Sequence, residues 1–110
     1  MNHGHPYSAE ELRHLRRLII ASGATVEEWT ARLRRTADYL ISLSPGQAQI
    51  VAQQALAIAA DPQDYGSEEE LRRAQAEIAA VPEPERLKFV ARQVIAVRRR
   101  HYPGLPDEGL

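Results

Sequence analysis

Three times along this chain of 110 residues a hydroxyl side chain is followed, three positions later, by a glutamate: Ser8 and Glu11, Thr25 and Glu28, Ser67 and Glu70. In such a box the hydroxyl accepts the third amide of a helix and the glutamate reaches back to the cap's own amide, so each pair marks a helix start. Apolar residues at helical spacing follow every one. Leu12, Leu15, Leu18 and Ile19 follow the first, and Ser22-Gly23 stops that helix. Val26, Trp29, Leu33, Ala37, Leu40 and Ile41 follow the second; Leu71, Ala74, Ile78 and Val81 follow the third. Nothing alternates with the period of two that a half-buried strand requires. The fold class is all-α.

Proline and glycine punctuate the rest. Ser44-Pro45-Gly46 ends one run, Asp61–Gly66 reads as a loop, and Pro82-Glu83-Pro84 precedes a last helix with Leu87, Val90, Ala91, Val94 and Ile95 on one face. Between the first two breaks, residues 47–60 hold no charge at all, and Ile50, Val51, Leu56 and Ile58 surround the helix rather than lining one side. A helix of that kind belongs in the middle of a bundle. The expectation is one compact domain of five to six helices packed around residues 47–60, with tails at 1–7 and 103–110. At this length there is room for one core.

Several function classes find no support in the residues. With no cysteine there is no disulfide frame, thiolate metal site or cysteine nucleophile. His3, His5, His14 and His101 share no ligand spacing, although His3 occupies the third position that an amino-terminal copper or nickel chelate uses. No phosphate-cradling glycine loop and no nucleophile elbow occurs. The expectation is therefore a non-enzymatic chain without cofactor or metal. Without a secretory leader or a long apolar span, it is expected to be cytoplasmic and off the membrane.

Net charge is −1, unevenly spread: residues 61–81 carry two arginines against six acids, whereas the flanking segments are mildly basic. Arginines cluster at 13/16/17, 32/34/35 and 98/99/100. The last group sits where a helix C-terminus favours cations. The first two either form a phosphate-touching patch or lie on solvated helix faces with glutamate partners.

Residues 15–46 carry one further pattern. Leu15-Arg16-Arg17-Leu18, then Gly23-Ala24-Thr25, Glu27-Glu28-Trp29, Leu33, Thr36, Leu40 and Gly46 fall in register with the XRE type of helix-turn-helix, and the segment resembles that family. The resemblance implies a small DNA-binding regulator. Thr36 would cap the recognition helix, and Arg16, Arg17, Arg34, Arg35, Thr36, Ala37 and Ser42 would meet DNA. The family's turn is usually Gly-Val where this chain has Arg34-Arg35. The same residues, Thr25 to Leu43, also read as one uninterrupted amphipathic helix, as a protein-interaction module such as an adaptor or inhibitor would have. The two readings differ at a single place, the backbone around Arg34 and Arg35.

Phe89, Ala96 and Val97 lie off the apolar stripe assigned to the last helix. A domain this small cannot easily wrap two helices on every side, so these three residues are expected to form a homodimer interface.

Overall fold

The structure, a computed structural model, describes residues 4–105. His3 and most of the C-terminal tail lie outside the described residues. Each capping box closes with both of its bonds: Ser8 with Glu11 opens α1 (Ala9–Ala21), Thr25 with Glu28 opens α2 (Val26–Leu40), and Ser67 with Glu70 opens α4 (Glu68–Ala79). Pro45 occupies the first turn of α3 (Pro45–Ala59), where its missing amide costs nothing. A short 3₁₀ turn, Glu83–Glu85, leads into α5 (Arg86–His101). Gly23 ends α1 at φ +93°, the left-handed conformation for which glycine pays no steric cost. Among the described residues there is no strand, and no helix is long and apolar enough to cross a membrane.

The centre of the bundle is α1. It touches α2, α3, α4 and α5, and Leu15, Leu18 and Ile19 are sealed from solvent between them. α2 and α3 form a tightly packed helical hairpin joined by Ile41–Ser44. This corrects the expectation that the uncharged helix is central. α3 buries Ala48, Val51, Gln54, Ala55 and Ile58, but Leu56 is 57% exposed. Leu56 lies two residues from both Gln54 and Ile58, so it is turned about 200° away from each. The helix lacks charge for a different reason. Two of its polar positions, Gln47 and Gln54, point inward, where an uncompensated charge would cost several kcal/mol.

Two other expectations change. The buried stripe of α5 is Val90, Val94 and Val97, rotated from the assigned one, so Leu87 stands exposed while Val97 is fully buried and Phe89 packs against the core. Of the three residues assigned to a homodimer face, only Ala96 is exposed. The amino-terminal segment is also more than a tail. Tyr7 is 5% exposed, stacks on His5 and meets the edge of His101 with ring centroids 5.3 Å apart. Burial pushes its hydroxyl pKa up to about 12, against the opposing field of Arg98.

Candidate interaction groove

The arginines separate into two populations. Arg16 is buried, and its guanidinium is consumed by backbone carbonyls: Nε donates to Ile58 O at 2.8 Å, Nη2 to Ala57 O at 3.0 Å and Nη1 to Asp64 O at 2.9 Å. The first two are end carbonyls of α3, which have no partner within their own helix. Arg16 is thus the C-terminal cap of α3, supplied from α1. Burial pulls its pKa below the ordinary value, and the carboxylates of Asp64 and Asp61 oppose that.

Arg17 donates to Tyr65 O at 2.9 Å and sits between Glu10 and Glu70, at 3.1 and 3.7 Å. Arg13 pairs with Asp64 at 2.9 Å. One helical face of α1 therefore pins the loop 61–66 through three arginines. Gly66, at φ +97°, brings the backbone so close that a Cβ would lie 2.6 Å from both Arg17 Nη1 and Glu70 Oε1. Arg98 likewise turns inward. Its Nε donates to Gln54 Oε1 at 2.8 Å, and Gln54 Nε2 donates to Val94 O at 3.0 Å, tying α3 to α5.

The residues read from the sequence as a DNA-contact set do not share one surface. Arg16 and Arg17 face the interior and the loop, Ala37 is core, and Ser42 is exposed in the hairpin turn after α2. No turn separates two helices at Arg34 and Arg35. Both are exposed on an unbroken α2, and the Thr36 hydroxyl donates to Arg32 O at 3.2 Å instead of capping a new helix. A mid-helix threonine bonded four residues back is a helix-interior arrangement.

Among the surface hollows, one groove lies between the first half of α2 and the start of α5. Two adjoining hollows, about 110 and 380 Å³, share Trp29, Arg32 and Leu87. Ala91 and Lys88 complete the smaller, and Ala24, Glu28 and Arg35 the larger. Trp29 is almost wholly buried and forms the floor, with the Arg32 guanidinium 5.5 Å from its ring centroid. Such a cation over an indole face is held by the ring's quadrupole. Leu87, 49% exposed, forms the apolar wall.

The rim is cationic. Arg32, Arg35 and Lys88 make no ion pair among the described residues, in contrast to Arg13, Arg16 and Arg17. The acid lining the groove, Glu28, is committed to its cap: its carboxylate accepts the Thr25 amide at 2.9 Å, which with the Thr25 hydroxyl lowers its pKa.

Sequence reasoning placed Trp29 on the inward stripe and put Leu87 there too, so the groove was not visible to it. The signal that would have revealed it is the rotation of α5 implied by Val90, Val94 and Val97. Among the described residues no cluster of three or more metal-binding side chains occurs. No protein-family model, curated protein or solved structure matches this chain.

Proposed function

We propose that this chain is a non-enzymatic protein-interaction module that engages its partner through the groove between α2 and α5. The observation that carries the reading is the exposed apolar wall of Leu87 beside a tryptophan floor, rimmed by three cations that make no ion pair among the described residues. Buried aromatic floors within a polar rim are where interfaces concentrate their binding energy. The continuity of α2 supports this reading over a DNA-reading helix-turn-helix, since the segment that would enter a major groove is the middle of one helix.

The regulator reading keeps one argument, the exposed Arg32, Arg34 and Arg35 on α2. A photo-crosslinking side chain at position 87 of the full chain, expressed in cells, should yield a discrete protein adduct that is absent when the group is moved to position 34. Binding to duplex DNA that falls steeply with salt, as phosphate contacts require, would instead support the regulator and overturn the module.

A further inference from the structure

The chemistry of the groove specifies its occupant more closely, an inference that rests on the interaction-module reading. We infer that the groove takes an acidic segment of a partner protein, with one or two large apolar side chains seated against Leu87 and Ala91 and carboxylates placed on Arg32, Arg35 and Lys88.

The two halves of the site need different things. The smaller hollow is bounded by Trp29, Leu87 and Ala91 and asks for an apolar side chain. Leu87 lies in the first turn of a helix whose Val90, Val94 and Val97 are fully buried and whose Ile95 is half-buried, so the core is covered without Leu87 and its side chain is left to wall this groove. The larger hollow opens beside it, and its charged lining is Glu28, Arg32 and Arg35. With Lys88 the groove holds three cations against one carboxylate, and that carboxylate is turned to Thr25. The field of the groove is therefore positive, and a positive patch on an apolar floor is complementary to an acidic segment with apolar anchors.

A single-stranded nucleic acid would meet the same cations, but it binds by stacking bases on aromatic faces. Trp29 is 3% exposed and has Arg32 over its ring, so no face is offered. A second copy of this chain is a poor occupant because its own groove is cationic. The acidic 61–81 segment is engaged at Asp64 and Glu70 by Arg13 and Arg17 of its own chain. A partner polypeptide remains.

The test pans a displayed library of random peptides, about a dozen residues long, against the full chain, then measures selected peptides by fluorescence anisotropy. Selected sequences should pair Leu, Ile, Phe or Trp with an excess of Asp and Glu. Affinity should fall at least about tenfold in Leu87→Glu and by a similar factor in the double variant Arg35→Glu with Lys88→Glu. Arg34→Glu, exposed on the same helix but lining neither hollow, should leave it within about twofold, since an exposed charge without direct contact is screened. These positions are exposed, and circular dichroism verifies that each variant stays helical. Arg32→Glu is kept out of the decisive set because it also uncovers Trp29.

Selected peptides that are neutral or basic overturn the inference, as do peptides indifferent to Leu87→Glu, an empty selection, or a dimer in light scattering that dissociates with Leu87→Glu. Peptides that bind elsewhere, for example losing affinity with Tyr39→Asp at the hairpin tip, overturn this site while leaving the module reading intact. Salt-steep DNA binding removes the module reading itself.

Discussion

Arg16→Met should destabilise the domain by about 2–4 kcal/mol without touching the groove. Methionine keeps the apolar stem and removes the guanidinium. Two buried carbonyls, Ala57 O and Ile58 O, and the loop carbonyl Asp64 O then lose their donor. Each buried group left unsatisfied costs about 1–3 kcal/mol, so the two in α3 alone give about 2–6. Against this stands the relief of no longer burying a charge, itself worth several kcal/mol in a fully desolvated site. Asp64 Oδ2 lies 3.9 Å from Nη1, so the charge is partly compensated and the relief is partial. The net loss is a large share of the 5–15 kcal/mol that holds a domain of this size. Urea unfolding followed by circular dichroism reads it as a lower midpoint at unchanged slope, with a melting point lower by about 10 °C or more. Amide exchange localises it, since the end of α3 and the 61–66 loop should lose protection before the rest. Arg16→Lys should recover little, because one ammonium on a flexible stem cannot meet three carbonyls arranged around a planar fork. A wild-type urea midpoint for Arg16→Met would refute the view that this arginine caps α3.

The other arginine buried in the interior, Arg98, gives a coupled test. Gln54→Leu leaves its Nε without an acceptor and should cost about 3 kcal/mol, while adding Arg98→Met should restore more than half, a coupling that a double-mutant cycle of urea midpoints measures directly. His14 sets a pH dependence: burial, then the nearby Arg17, lowers its pKa on folding. Its contribution is therefore intact above the unfolded value of about 6.5 and is lost as pH falls through the folded one, so His14→Gln should flatten the decline in stability between about pH 7 and 5. If the two proteins track each other over that window, the assignment to His14 fails. Gly66→Ala and Gly23→Ala both force a side chain into positive φ, at about 1–2 kcal/mol each. Only Gly66 also collides with Arg17 and Glu70, so its thermal melting point should drop further than that of Gly23→Ala.

Helix starts were legible because capping is local: Ser8, Thr25 and Ser67 need only their own third neighbour to act. The orientation of each helix was not, because it depends on which neighbours a bundle supplies. Leu56 and Leu87 are the clearest cases. Both sit among apolar residues at plausible spacing, and both face out because Ile58 and Val90 set the inward direction a fraction of a turn away. The residues assigned to DNA contact were placed apart for a related reason. Arg16 and Arg17 carry the right residue type on the right helix, yet a guanidinium serves a phosphate and a helix-end carbonyl with the same donors. Only the chain's return past α1 at residues 57–65 decides between them, and that return is a long-range fact. Of the groove, Trp29 was placed correctly as an inward residue, and Arg32 and Arg35 were seen as a cluster. The segment that faces them, from the start of α5, was not.

The two arginine populations differ in what selection on folding alone would preserve. An exposed, unpaired cation in water contributes little to stability, and even paired surface ions give a median of about 0–1 kcal/mol. Arg32, Arg35 and Lys88 are therefore unconstrained by the fold except through the contact of Arg32 with Trp29. Arg13, Arg16 and Arg17 hold the loop 61–66 and cannot be exchanged freely. Reversing charge at the second set should separate from reversing it at the first: loss of fold for α1, retention of fold with loss of partner for the groove. That separation is what the proposed binding role of the rim cations predicts. Arg13, Arg16 and Arg17 are engaged by the loop and the end of α3, and folding supplies no comparable reason to gather Arg32, Arg35 and Lys88 beside an exposed leucine.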